Sequence, residues 1–112
     1  MINYSHDRSD IPEIEIFPGF YAKFIHTDQL TIAFVRIKKG SQLPEHFHIH
    51  EQVTTGLEGE LEMTVGGQQL ICKAGVSVSI PSNTPHSAVA LSDCLVMDVF
   101  SPPREDYQAL TA

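Results

Sequence analysis

Apolar and polar residues alternate in short runs along most of this chain, and almost nowhere do they take the three-to-four spacing of a helical stripe. Phe20–Thr27 and Leu30–Lys38 are rich in β-branched and aromatic residues, and Asp28-Gln29 between them reads as a hairpin connection. Further strand-like runs are Val53–Thr55, Leu61–Val65, Gln68–Lys73, Val76–Ile80, His86–Leu91 and Leu95–Phe100. The segment Gly56-Leu57-Glu58-Gly59 reads as a turn, and Gly66-Gly67 as a two-residue hairpin loop. Only Glu105–Leu110 at the end has helical character. Short strands separated by Gly- and Pro-rich turns predict an all-β fold, a sandwich or barrel. Residues 1–12, ending at Pro12, read as an N-terminal arm, and residues 13–112 as one β-barrel domain. An arm of this kind protects sheet edges by pairing with a second copy, so a homodimer is expected.

Length and charge narrow the partners. A chain of 112 residues with 42% hydrophobic content forms one domain with a real core. The net charge is -7, and the basic residues are scattered rather than clustered, which excludes nucleic acid as the expected partner. An anionic small molecule is compatible only through a locally placed Arg or Lys. No apolar run approaches ~18 residues, so no membrane span is expected. The start, Met1 to Arg8, has no apolar leader, and Cys72 and Cys94 do not make a disulfide framework; the cytoplasm is the expected location.

Candidate chemistry begins at His46-Phe47-His48-Ile49-His50-Glu51-Gln52. In an extended strand His46, His48, His50 and Gln52 share one face, while Phe47, Ile49 and Glu51 share the other. Converging imidazoles suit a borderline divalent metal such as zinc, nickel or iron. The same pattern is also the polar side of an edge strand, and spacing alone does not separate the two. His86 follows Ile80-Pro81-Ser82-Asn83-Thr84-Pro85, where two prolines stiffen the loop in the way a metal ligand requires. Asp98 lies in the apolar run Leu95–Phe100. It is an ordinary solvent-facing acid if Met97 and Val99 fill the core, and a general acid or base if it faces the interior.

These residues resemble the two motifs of the cupin superfamily. The first stands as Gly40, His46, His48, Gln52 and Gly59; the second as Gly75, Pro81, Asn83, His86 and Ala90. The resemblance covers residues from about 36 to 100 and implies a double-stranded β-helix, or jelly-roll barrel. It also implies one divalent metal ion held by His46, His48, Gln52 and His86, with nickel, zinc, iron and manganese all compatible. His50 is read as a residue at the rim of the site or behind its ligands, with a direct ligand as the alternative. Three positions depart from the pattern. Gln52 replaces Glu, Asn83 replaces Gly in a left-handed position that Asn tolerates, and Ala90 replaces Asn. Three neutral imidazoles and a neutral amide leave the full charge of a divalent ion uncompensated, which favours enolate-like oxygens over oxygen activation.

The tail Asp98-Val99-Phe100-Ser101-Pro102-Pro103-Arg104-Glu105-Asp106, together with Gln52, is similar to small single-domain cupins of the KdgF type, named for pectin degradation. That likeness implies ring opening of 4,5-unsaturated uronates, the sugars released by pectin or alginate lyases, to linear keto sugar acids. It implies Asp98 as catalytic acid and base, Phe100 as a platform for the sugar, and Arg104 as the clamp on its carboxylate. From the residues alone, Arg104 is equally an ion pair with Glu105 or Asp106. Two other functions stay open: a non-catalytic cupin that binds a sugar or effector, which a ligand would stabilise without turnover, and a cupin dioxygenase, which would need oxygen.

Overall fold

The computed structural model describes residues 3–111. Its strands are β1 (Ile14–Phe17), β2 (Phe20–His26), β3 (Thr31–Ile37), β4 (Gln42–His46), β5 (Glu51–Glu58), β6 (Glu60–Val65), β7 (Gln68–Lys73), β8 (Ser77–Ile80), β9 (His86–Ala90) and β10 (Cys94–Ser101). A 3-10 turn at Arg8–Asp10 precedes them and the helix α1 (Glu105–Leu110) follows. The strands form two antiparallel sheets, one in the order β1-β2-β3-β10-β5-β8 and the other β4-β9-β6-β7. The all-β expectation holds, and the paired sheets make the jelly-roll. No helix among the described residues is long and apolar enough to cross a membrane.

Alternation builds the core. Ala22 and Phe24 of β2, Ala33, Val35 and Ile37 of β3, and Val96 and Phe100 of β10 project inward from the larger sheet. Leu61, Met63, Cys72, Ala88 and Ala90 meet them from the smaller one. Non-directional burial of these side chains holds the sheets face to face. Gly66 and Gly67 make the predicted hairpin between β6 and β7, both with positive φ (55° and 84°), a conformation that costs glycine little.

The structure departs from the sequence reading in several places. β1 and β4 were not expected; β1 is four residues between Pro12 and Pro18, and β4 contains Pro44, which an edge strand tolerates because it needs no second ladder. The expected turn Gly56–Gly59 is mostly strand: β5 continues to Glu58, and the chain passes to β6 at Gly59. The arm, of which Met1 and Ile2 lie outside the described residues, is exposed from Asn3 to Asp10. It is tied to the outside of the larger sheet, where Lys23 donates to the Arg8 carbonyl at 3.0 Å and the Arg8 guanidinium lies 5.0 Å from the Phe34 ring.

The interior is not apolar throughout. Thr31, Gln52, Thr54 and His86 are buried as well, and three of these four belong to one polar cluster.

Candidate metal centre

The run from His46 to Gln52 is not one strand. β4 ends at His46 in the smaller sheet and β5 begins at Glu51 in the larger, so Phe47–His50 is a crossing loop. The period-two exposure survives without the ladder. Phe47 and Ile49 are 66% and 64% exposed, while His46, His48 and His50 are turned partly inward. His46 lies opposite His86 in the β4–β9 register, which places an imidazole at the end of one strand against an imidazole at the start of the next. The second loop holds the first in place: the Asn83 N–H donates to the His48 carbonyl at 2.8 Å, and Ser82 Oγ donates to the Ile49 carbonyl. Asn83 has φ 61°, so it takes the left-handed position expected of it.

Each imidazole of the trio is oriented by a backbone carbonyl. His46 Nδ1 donates to the Pro44 carbonyl at 2.9 Å, His48 Nδ1 to that of His50 at 3.0 Å, and His86 Nδ1 to that of Thr84 at 2.8 Å. A carbonyl only accepts, so each Nδ1 carries the proton and each Nε2 of a neutral ring presents a lone pair. Burial, then the nearby Arg104 charge, pushes the pKa of His48 down to about 4, and burial likewise lowers that of His86. Both rings are therefore neutral near pH 7. Ligand atoms of His46, His48 and His86 lie within 4.8 Å of one another. His86 Nε2 is buried with no hydrogen-bond partner, a state that costs about 1–3 kcal/mol if nothing binds it. Gln52 Oε1 lies 3.1 Å from His48 Nε2, so two lone pairs face each other with no proton between them. A cation relieves both faults. The donor set fits a divalent metal, and the three imidazoles can hold one.

Asp98 faces inward. Val96, Asp98 and Phe100 share the inner side of β10, while Met97 and Val99 take the outer, which settles the alternative left open by the sequence. Its register partner is Thr54, whose Oγ1 donates to Asp98 Oδ1 at 2.6 Å; Gln52 Nε2 donates to the same oxygen at 3.3 Å. Burial pushes the Asp98 pKa up to about 6, opposed by these two hydrogen bonds and by Arg104.

Arg104 follows Pro102-Pro103, and its backbone N–H donates to buried Thr31 Oγ1 at 2.9 Å. The guanidinium lies over Phe100 (4.7 Å) and Tyr107 (4.0 Å). It also grips Asp106 as a fork, Nε to Oδ1 at 3.0 Å and Nη2 to Oδ2 at 2.8 Å. The ion pair read from the sequence is present, and so is the placement beside the site: a cavity of about 270 Å³ is lined by His46, Gln52, His86, Asp98, Phe100 and Arg104 among others. Phe100 is buried, edge-on to His48 at 5.8 Å. His50 stands 5.3 Å from the His48 ring, and its contribution to the trio is its carbonyl. The sequence reading missed Thr54, which sits two positions beyond Gln52 on the same face of β5, so the alternation that selected Gln52 also reaches it. It missed Tyr107 too, for which no local pattern pointed inward.

Residues 33–100 match the Cupin domain family. The pectin degradation protein KdgF of Dickeya dadantii (strain 3937) is 31% identical over 101 residues, which cover 88% of this chain and 92% of that protein. The structure of KdgF from Halomonas sp. superposes with a TM-score of 0.85 at 31% identity, covering 90% of this chain and 96% of that one. An RmlC-like cupin from Shewanella frigidimarina NCIMB 400 superposes at 0.89 with 27% identity, over 95% and 96%.

Proposed function

The chain belongs to the cupin domain family, and we propose that it opens the ring of 4,5-unsaturated uronates to linear keto sugar acids, using one divalent metal held by His46, His48, Gln52 and His86. The pectin degradation named in its Dickeya relative supports the substrate class. The observation that carries the reading is Asp98: a carboxyl group inside an apolar strand, lining the same cavity as His46 and His86, with its pKa pushed up to about 6.

An unsaturated uronate carries its double bond between carbons 4 and 5, next to both the ring oxygen and the carboxylate. Opening the hemiacetal breaks the bond between carbon 1 and the ring oxygen and moves the proton of the carbon 1 hydroxyl to that oxygen, which leaves an aldehyde at carbon 1 and an enol at carbon 5. The enol becomes a ketone when carbon 4 gains a proton and the enol oxygen loses one, so the whole change is an isomerisation. A divalent ion at the imidazoles would supply a Lewis acid for the sugar oxygens. Asp98 takes and returns the protons. Its Oδ1 accepts both protein hydrogen bonds, which leaves Oδ2 for exchange, and a pKa near 6 makes each direction cheap near neutrality. Arg104 binds the carboxylate through the N–H groups that Asp106 does not occupy, and this local cation answers the net charge of -7. Phe100 supports the Arg104 plane and forms part of the wall against which the sugar lies.

The conjugated double bond absorbs in the ultraviolet, and ketonisation removes that absorbance. Purified protein loaded with metal is expected to bleach lyase-released unsaturated galacturonate or mannuronate without oxygen. Asp98→Asn is expected to lower the rate at least about 100-fold while metal content stays at the wild-type level. A fully loaded wild type that leaves the absorbance unchanged, even where the sugar raises its melting temperature, would refute the enzyme and leave a binding protein.

A further inference from the structure

We propose that Thr54 is a positioning residue that decides which end of the Gln52 amide faces the three histidines; this rests on the metal-site reading above. The two ends of a glutamine amide are nearly the same size and differ only in what they can bond. Orientation must therefore come from partners.

The partners form a one-way chain. Asp98 Oδ1 accepts, so Thr54 Oγ1, at 2.6 Å, spends its single proton there. Only lone pairs are left on Oγ1, and Gln52 Nε2 donates to one of them at 2.9 Å. The same Nε2 is 3.3 Å from Asp98 Oδ1. A flipped amide would set Oε1 against a hydroxyl lone pair and a carboxylate oxygen together. Thr54 is 1% exposed and Gln52 7%, so these protein partners, rather than bulk solvent, set the direction of the amide. The amide is thereby fixed with Oε1 toward His48 Nε2, the end a metal ion requires.

β-Sheet register makes this arrangement. Thr54 and Asp98 are direct cross-strand partners on β5 and β10, and Gln52 is the next inward residue on β5. The hydroxyl stands between the carboxylate and the amide, joining the acid of the proposed chemistry to the metal ligand set. Because both bonds end on Oδ1, a proton on Oδ2 does not disturb the chain.

The test is cobalt(II) titration of chelator-treated protein against a competing chelator, read also by the visible cobalt band. Wild type is expected to take up one equivalent. Thr54→Val keeps the shape and removes the hydroxyl; affinity should fall about 10- to 100-fold and the band should change. Thr54→Ser restores the hydroxyl and should return affinity to within about threefold of wild type, a rescue that a packing role for the methyl would not give. A folded valine variant with wild-type affinity and spectrum overturns the inference. A wild type that takes up no cobalt overturns the metal reading instead, and this inference with it. One further measurement needs no folded variant at position 54. In the zinc-loaded wild type, the two Gln52 side-chain N–H signals, assigned by their loss in Gln52→Glu, should exchange slowly with solvent. Fast exchange overturns the inference.

Discussion

Arg104 shows how one side chain is held for use. The fork to Asp106 fixes its direction, and the rings of Phe100 and Tyr107 fix its plane. Lysine keeps the charge but has neither fork nor plane. Arg104→Lys is expected to raise KM for the uronate at least about tenfold, a loss of about 1.4 kcal/mol, with a smaller change in kcat; steady-state bleaching rates over a range of substrate concentrations check it. The cysteines give a second prediction. Burial pushes the Cys94 thiol up to about 11 and raises that of Cys72 as well, so neither forms thiolate near neutrality. A thiol reagent should find no reactive group in the folded protein and both groups in denaturant. At this scale the sequence carried a great deal. The resemblance of the motifs around Gly40 and Gly75 to those of cupins picked out His46, His48, Gln52 and His86, and all four line one site or its edge. What fixes their tautomers was invisible, because the carbonyls of Pro44, His50 and Thr84 are backbone groups whose direction no residue type encodes.

Between residue and fold stands the break between β4 and β5. An unbroken strand would have spread His46, His48 and Gln52 along one ladder, whereas the crossing loop brings these side chains together from two sheets. Alternation in a sequence reports which side chains face inward, not which ladder they belong to, so the inward set was legible and the break was not. β1 and β4 escaped notice for a related reason: both are short edge strands interrupted or bounded by proline. Gly56 in β5 is constrained by contact rather than by turn geometry. A Cβ there would stand 2.1 Å from the Lys73 carbonyl oxygen, and that oxygen is backbone held in β7. Gly56→Ala must push the strand that carries Gln52 and Thr54 away from β7. A loss of at least about 2 kcal/mol is expected in urea unfolding, and metal affinity should fall with it because the displaced strand carries Gln52, the fourth ligand proposed above.

At the scale of the whole molecule, the candidate metal centre is built from both sheets. His46 and His86 come from the smaller sheet, Gln52 from the larger, and His48 from the loop between them. Without an ion, His86 Nε2 is buried and unpartnered, and Gln52 Oε1 faces the lone pair of His48. These faults exist only when the sheets are assembled, since water satisfies every one of these groups in the unfolded chain. An ion that removes them binds the folded state alone, and its free energy becomes folding free energy. With free ion at about 100 times its Kd, the gain is about 2.7 kcal/mol. In a domain of this size about 1 kcal/mol moves Tm by about 4 °C, so chelation is expected to lower Tm by about 10 °C. Returning nickel or zinc should restore it. His46→Ala removes one ligand from a half-exposed position and should melt near the chelated wild type, with little further response to added ion. Scanning calorimetry of the four samples checks this. If chelated and reloaded wild type melted together, while His46→Ala melted well below both, His46 would be a structural residue and the sheets would be held by their apolar faces alone.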